Sequence, residues 1–527
     1  MYKKWIAVAL VCAAAVFVTA RLRADAPADV KAAVDKSLKA MGAENVKTLT
    51  ISGDGFDTSV GQSCNPHDAY WRQFADKGYT RAIDFDARGW RLSRMSRGEG
   101  NAKSCGGAGT TNPAPTTTPA DTVTMATPTG FNNYMEYVFL PEGFLKVALE
   151  KSDATVKPET VKGKKYTVIS FSVDNGTAKA PVKGYINDMG YVEKVQTMIN
   201  IDPIGDSIWD AEYSNWKDFG GVKFPTHIVQ HQYEPIFFEL NVTDVKVNQP
   251  VDLTPPAGRG GRGGGKGGDG KGGDGKGGPG AAAKGGPGGP GGGGRGAPPA
   301  VTDEDLGNGA WLITGGYGSV VVNFKDYIVV VEGPSNEARA DAIIAEAKKL
   351  VPGKPIKYII NTHAHFDHSA GLRPFVAEGA TIVTSQGNKG YFEHIMQNPH
   401  TVAPDKLWMM TQHPKVKVEY VGEAKKMTGG ENEIDLYHVD GSMHNDAMLM
   451  VYLPKQKVLI EADEFNVLNP IPTAPVAAPN QYQVNLLANI DRLKLDVDRI
   501  IPIHLPNPQD RKVPLSELKL AAGKPAS

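Results

Sequence analysis

The stretch NTHAHFDHSAG, residues 361–371, places three histidines and one aspartate within six consecutive positions. Imidazole and carboxylate groups offer lone pairs near neutral pH, which makes them ligands for zinc and related ions. His363 and His365, two apart on an extended backbone, can reach one ion, while Asp367 and His368 can face a second. With 12 histidines in the chain, chance gives this arrangement on the order of once in a thousand. The spacing therefore predicts a metal site.

Three further candidate ligands follow, each in a loop next to a strand-like run. His444 lies in the glycine-containing turn of LYHVDGSMHNDAMLMVYL, and His504 ends the apolar run of DRIIPIHLPNP. Asp463 comes directly after the apolar run of KVLIEADEF, where a carboxylate has no packing purpose. We predict that these three side chains complete the site. His438, inside the strand-like IDLYHV, is the alternative to His444.

The elements around these residues alternate between strands and helices. AWLITGGYGSVVVNFKDYIVVVEGP predicts consecutive strands, and SNEARADAIIAEAKKL predicts a helix capped by Ser335. IKYIINT is then typical of a buried strand, AGLRPFVAE of a helix and TIVTS of a strand. This alternation predicts a layered α/β domain, with the histidine motif on the loop after a central strand, where open sheets place their chemistry.

The motif THAHFDHSAG, together with His444, Asp463 and His504, resembles the metallo-β-lactamase superfamily over about residues 301–510. The resemblance implies an αββα sandwich that holds two metal ions. It implies that the first ion is bound by His363, His365 and His444, the second by Asp367, His368 and His504, and that Asp463 bridges both. Two departures from the family pattern stand at the later histidines, which lie in SMHND and IHLP instead of following glycine.

The resemblance also implies the chemistry. The expected cofactor is a pair of zinc ions, with iron or manganese as alternatives, and a metal-bridging hydroxide would be the nucleophile. Asp367 is the expected catalytic residue, because it can move a proton to the leaving atom. The expected substrate is a small molecule with an ester, lactone or amide bond. One alternative is a β-lactamase, although those enzymes typically lack an aspartate at the position of Asp463. Another is a binding protein for an apolar ligand with a secondary metal domain.

Residues 27–254 predict a separate, β-rich N-terminal domain. PADVKAAVDKSLKAMG predicts a first helix, and alternating runs such as KYTVISFSV, KGYINDMGYVEKVQTMI and VKFPTHIVQHQY predict an antiparallel sheet. The segment YSNWKDFGGVKFPTHI and the rhythm of the strands resemble the half-barrel domains of periplasmic lipoprotein carriers. His227 and His231 alternate onto one strand face without a third ligand, which indicates an ordinary exposed pair.

Residues 255–300 predict a disordered linker before the hydrolase domain at 301–527. Its central part, 258–296, is dominated by glycine and has no apolar residue larger than alanine, so burial cannot offset its backbone entropy. Two RGG units suggest RNA binding, but a solubilising tether fits an exported protein better. The formal net charge of −1 likewise points away from nucleic acid as a partner.

The first 26 residues predict a signal peptide. A basic start, MYKK, precedes the apolar run WIAVALVCAAAVFVTA and small residues suited to cleavage. We therefore expect an exported protein, periplasmic or secreted, with no membrane span after cleavage; a retained membrane anchor is the alternative. Cys64 and Cys105 could then pair, closing a loop worth roughly 3–4 kcal/mol, or remain two free thiols. The sequence carries no signal for an oligomeric state.

Overall fold

The structure is a computed structural model that describes residues 26–68, 71–98, 120–127, 129–174, 176, 179–256 and 300–526. The predicted signal peptide and the glycine-rich centre of the predicted linker lie outside these ranges. Within them, no helix combines the length and the apolar character that a bilayer crossing needs.

The N-terminal region is built on one large antiparallel sheet. Its eleven strands among the described residues are β1 (Thr48–Ser59), β2 (Arg72–Asp84), β3 (Gly89–Gly98), β4 (Ala120–Met125), β5 (Thr155–Val161), β6 (Lys164–Asp174), β7 (Lys179–Ile186), β8 (Val192–Ile201), β9 (Gly205–Phe219), β10 (Val222–Gln232) and β11 (Ile236–Val247). They lie in the order β4-β3-β2-β1-β11-β10-β9-β8-β7-β6-β5. The prediction of a mostly antiparallel β domain is confirmed.

Three helices pack against this sheet: α1 (Ala28–Met41), α2 (Phe131–Val138) and α3 (Pro141–Ala148). The predicted first helix is present because Val30, Val34 and Leu38 recur at helical spacing and are buried together. The helix ends at Gly42, whose φ of 66° is accessible to glycine and whose N–H bonds back to the last turn. Helix and sheet thus share one apolar core.

The C-terminal region has two sheets. The first contains β12 (Thr302–Gly307), β13 (Ala310–Thr314), β14 (Ser319–Asn323), β15 (Ile328–Val331), β16 (Ile356–Ile360), β17 (Thr381–Ser385) and β18 (Val418–Val421), in that order. The second contains β19 (Ala424–Gly429), β20 (Asn432–His438), β21 (Leu449–Leu453), β22 (Val458–Glu461), β23 (Arg499–Pro502) and β24 (Val513–Pro514), also in order. The helices are α4 (Glu337–Leu350), α5 (Phe366–Ser369), α6 (Leu372–Ala377), α7 (Tyr391–Ile395), α8 (Gln481–Leu493) and α9 (Leu515–Ala521).

The two C-terminal sheets pack face to face. Apolar residues of β14 to β16 meet those of β20 to β23 in one buried cluster, while the alternate residues of the same strands face outward. Helices α4 and α6 cover the outer face of the first sheet, and α8 and α9 cover that of the second. This is the predicted αββα sandwich, and both of its sheets are buried on two sides, as apolar runs such as IVVV and LMVYL require.

Two local predictions were wrong, and three strands were not predicted. The cap of α4 is Asn336, whose side chain accepts from the Arg339 N–H at 3.0 Å, and not Ser335. The run at 183–199 is divided between β7 and β8, because a turn at Gly190 (φ 88°) reverses the chain. Strands β1, β4 and β5 were not predicted; β4 and β5 are the edge strands, where pattern is weakest, and β5 contains Pro158.

The N-terminal sheet contacts the sandwich through the β8–β9 turn. The Asp206 N–H donates to the carbonyl of Pro399 at 2.8 Å. The Asp206 carboxylate accepts from the N–H groups of Thr401, at 2.9 Å, and Val402, at 3.0 Å. Asn398 adds a bond to the carbonyl of Ile204 at 2.8 Å. A second contact, made by the loop after β1, reaches the site described next.

Candidate metal centre

The structure brings all seven predicted ligands together from four strand ends. The histidine motif follows β16, His444 lies between β20 and β21, Asp463 follows β22 and His504 follows β23. Their ligand atoms form three overlapping groups, each with all atoms within 4.8 Å of one another: His363, His365 and His444; His363, His368 and Asp463; and Asp367, His368 and His504. The first and third groups are the two triads that the resemblance implied.

The first triad is buried, and its ring nitrogens converge on one place. His365 Nδ1 lies 2.9 Å from His444 Nε2, so these two nitrogens point at one place. The other ring nitrogen of His365, Nε2, donates to the carbonyl of Ser63 at 2.7 Å. His363 turns Nδ1 toward the Thr362 hydroxyl at 3.1 Å and its Nε2 inward. One lone pair of each ring therefore faces the same point.

The second triad is arranged in the same way. His368 Nε2 is 3.1 Å from His504 Nε2, and Asp367 Oδ2 is 3.5 and 3.6 Å from these two nitrogens. His368 Nδ1 faces the Glu332 carboxylate at 3.2 Å, which fixes its proton there and leaves Nε2 to bind. Gln62 donates to the other oxygen of Asp367, Oδ1, at 2.8 Å.

Asp463 lies between the triads. Its Oδ2 is 2.8 Å from His368 Nε2, 3.5 Å from His363 Nε2 and 3.6 Å from His444 Nε2, and its Oδ1 is 3.0 Å from His504 Nε2. The backbone of Asp463 has φ 64°, a left-handed conformation that Asp tolerates better than most residues. One carboxylate is thus within reach of ligands from both triads.

These residues fit a pair of metal ions. Ligand atoms about 2.1 Å from a tetrahedral zinc ion are about 3.4 Å apart, close to the 3.5 and 3.6 Å separations around Asp463 Oδ2. His363 Nε2 is buried without a hydrogen-bond partner. Buried polar atoms rarely lack a partner, because their desolvation is costly. Coordination of a metal ion would satisfy this nitrogen.

The electrostatics of the site also suit cations. Burial holds the pKa of His363 well below its ordinary value and lowers the pKa of His365 to about 3, so both rings are neutral and can bind metal. Burial acts the same way on His368, but Asp367 and Asp463 outweigh it and raise the pKa of His368 well above the ordinary value. The two carboxylates therefore draw positive charge to the point where their oxygens meet the imidazoles.

Sequence reasoning missed several residues around the ligands. Glu332 follows the buried strand β15 in VVVEGP, which is the same signal that identified Asp463 after β22, so it could have been found. Tyr317 lies with its ring centroid 4.3 Å from that of His504, and burial together with the Asp367 charge raises the pKa of Tyr317 to about 12. Gln62 and Ser63 are about three hundred residues from their partners and carry no local signal.

The other predicted residues have ordinary surroundings. His438, the alternative third ligand, ends β20 and joins none of the groups formed in the described part of the chain. His227 and His231 are paired with Glu239, at 2.8 Å, and Asp210, at 2.9 Å. Cys64 is in a disulfide, but Cys105 lies outside the described residues, so their pairing stays a prediction.

The histidine-rich centre lies at the strand ends of the sandwich, and this C-terminal region can be compared with known families. Residues 315–504 match the family model Lactamase_B, described as the metallo-beta-lactamase superfamily. The C-terminal part of the chain belongs to this superfamily.

Comparison with solved structures gives metallo-beta-lactamases at low similarity. The enzyme from Pontibacter korlensis is 16% identical with a TM-score of 0.32, covering 42% of this chain and 97% of that one. The enzyme from Hirschia baltica is 19% identical with a TM-score of 0.32, covering 42% and 96%. FIM-1 from Pseudomonas aeruginosa, in its mono-zinc form, is 16% identical with a TM-score of 0.32, covering 42% and 93%. Comparison with curated protein sequences gives no match.

Proposed function

We propose that this chain is an exported hydrolase that uses two zinc ions to cleave an ester, lactone or amide bond in a small molecule. Its C-terminal part is a metallohydrolase fold of the metallo-beta-lactamase superfamily, and its His and Asp groups are capable of binding metal. The observation that carries the proposal is the Asp463 carboxylate, whose two oxygens approach histidines of both triads. Iron or manganese could occupy the same nitrogen and oxygen ligands.

The seven candidate ligands would have two roles: to hold the metal ions and to transfer a proton. Zinc ions, when bound, activate water at neutral pH and polarise the bond that is cut. His363, His365 and His444 would hold one ion, and Asp367, His368 and His504 the other. Asp463 would fix the distance between the ions, because it is shared. Asp367, at the edge of the second triad, would pass a proton to the leaving atom.

Two aromatic side chains border the centre and limit what can enter. Tyr317 lies against His504, and the Tyr482 ring centroid is 5.8 Å from that of His444. Tyr482 is in the first turn of α8. An aromatic ring beside each triad favours a small substrate with an apolar body.

Two features support export: the composition of the first 26 residues and a disulfide bond at Cys64. The first 26 residues have the basic, apolar and small-residue order of a signal peptide. Cys64 is in a disulfide, a bond that persists in oxidising compartments such as the periplasm and is rare in the cytoplasm of mesophiles. Both features favour a periplasmic or secreted protein.

The test is a substrate panel on the full-length secreted protein. Protein loaded with zinc is compared with the same protein after chelation, on chromogenic carboxylic esters, lactones, amides, β-lactams and phosphodiesters. We expect zinc-dependent turnover of an ester, lactone or amide, and loss of that turnover in His363→Ala. Turnover confined to β-lactams would favour the β-lactamase alternative. Loaded protein that turns over none of the panel, yet binds an apolar probe, would overturn the proposal in favour of a binding protein.

A further inference from the structure

The loop after β1 (residues 60–68) extends from the N-terminal sheet to the candidate metal centre. Gly61, with φ 77°, lies directly on Phe366, the residue between two of the predicted ligands. A Cβ at Gly61 would be 2.2 Å from Phe366 Cγ, so only glycine permits this approach. Trp71, beyond the loop, packs its ring edge to face on the same phenylalanine with centroids 6.4 Å apart.

Two atoms of this loop bind metal ligands directly. The Gln62 side-chain amide donates to Asp367 Oδ1 at 2.8 Å, which leaves Oδ2 to face His368 and His504. The Ser63 carbonyl accepts from His365 Nε2 at 2.7 Å. A carbonyl can only accept, so the proton of His365 is on Nε2 and the lone pair is on Nδ1, the atom beside His444.

The loop is also fastened to the other side of the site. Asn445 donates its side-chain amide to the same Ser63 carbonyl at 3.0 Å, and the Asp446 N–H donates to the Cys64 carbonyl at 2.9 Å. Asn445 is completely buried and is the neighbour of the third histidine ligand. Residues 62–64 therefore lie in a fixed register between the motif at 363–368 and the turn at 444–446.

We infer that the loop at 60–68 orients ligands of the metal centre. Gln62 selects the oxygen of Asp367 that binds metal, and the Ser63 carbonyl sets the tautomer of His365. The loop thus orients one ligand in each triad. Gln62 and Ser63 are positioning residues, since they act through ligands and not on substrate. The inference rests on the proposed two-metal function, and it means that the sandwich alone has an incomplete site.

A purely structural role for the loop makes a different prediction. If residues 60–68 only docked the N-terminal sheet on the sandwich, losing the Gln62 amide would lower stability and leave metal affinity unchanged. If Gln62 positions Asp367, the same change would weaken metal binding at unchanged stability, because Asp367 would gain a second orientation. Partners of metal ligands typically account for about 10–100-fold in metal affinity.

The experiment compares full-length Gln62→Met with wild type. Methionine keeps the length of the side chain and removes its amide group, so the bond to Asp367 Oδ1 is lost. Gln249→Ala is the control, because Gln249 is exposed and its backbone carbonyl accepts from the Thr48 hydroxyl, at the opposite end of β1. Zinc stoichiometry and stepwise affinity are measured by competition with a chromophoric chelator, and the ligand field of each site by the visible spectrum of the cobalt-substituted protein.

We expect Gln62→Met to bind one ion as wild type does and the other about 10–100-fold more weakly, with a changed cobalt spectrum and an unchanged melting temperature. Wild-type affinities and spectrum in Gln62→Met would overturn the inference. A lower melting temperature with unchanged affinities would overturn it in favour of docking alone. Wild-type protein that binds no metal would remove the proposed function itself, so the two failures are distinguishable.

Discussion

Glu332 offers a sharp test of how the second triad is held, because one atom of its side chain can be changed without altering its shape. The carboxylate is completely buried. Its Oε1 accepts from the Thr362 N–H at 2.6 Å, and its Oε2 faces His368 Nδ1 at 3.2 Å. Glu332→Gln replaces one of these acceptors by a donor. Either the Thr362 N–H or the His368 N–H then meets an N–H group.

The effect of Glu332→Gln on metal binding depends on which group the new amide nitrogen faces. If its amide nitrogen faces His368, that ring must move its proton from Nδ1 to Nε2, the atom that would bind metal. If the amide nitrogen faces Thr362, a buried donor is left unpaired, at about 1–3 kcal/mol. The first outcome preserves the backbone, and we expect the affinity of the second ion to fall about 10–100-fold, which corresponds to about 1.4–2.7 kcal/mol.

The assay is a zinc titration of Glu332→Gln with Glu431→Gln as control. Glu431 is an exposed residue of the β19–β20 turn. We expect one ion to bind as in wild type, the other to bind more weakly in Glu332→Gln only, and a melting temperature within a few degrees of wild type. Two ions bound at wild-type affinity would refute the argument that Glu332 fixes the tautomer of His368.

Two further predictions concern stability in the N-terminal region. Burial raises the pKa of Glu142 from 4.5 to about 7, so the folded protein holds a proton that the unfolded chain releases, and stability falls by about 3 kcal/mol as pH rises between these values. Thermal unfolding at pH 5 and pH 8 should show this fall in wild type and not in Glu142→Gln; equal falls in both would contradict it. Asp206→Ala should lower the free energy of unfolding by roughly 1.5–3 kcal/mol, because it removes charge-assisted bonds to 401–402. Denaturant unfolding beside the exposed control Asp244→Ala measures this effect, and equal stability of the two variants would refute it.

Much of the site was predictable because its ligands belong to strand ends. Four histidine or aspartate positions lie within one motif, and Asp463 and His504 directly follow strands whose apolar runs were readable. The strand ends belong to the two packed sheets, β16 to the first and β20 to β23 to the second, and they meet in space. Strand-end placement together with the family resemblance therefore predicted the group. His444 was preferred to His438 because IDLYHV has strand character; in the structure His438 ends β20, and His444 lies in a group of candidate ligands.

The parts that were not predictable depend on contacts between distant segments. Nothing in GQSCNP, residues 61–66, indicates that Gln62 meets a residue 305 positions away. The N-terminal edge strands were missed for a related reason: one side of an edge strand has no partner, so its pattern is less constrained. The glycines and aspartates of β1 (TISGDGFDTS) likewise hide a strand whose backbone is paired on both sides.

Asp463 is proposed to be shared by the two metal ions, and the metal content of Asp463→Ala tests this role. Wild type, Asp463→Ala and the exposed-turn control Asp440→Ala are dialysed against zinc, and bound metal is measured by mass spectrometry. We predict two ions per chain in wild type and in Asp440→Ala, and loss of both from Asp463→Ala, because each ion loses a shared ligand. Two ions retained by Asp463→Ala would contradict the account.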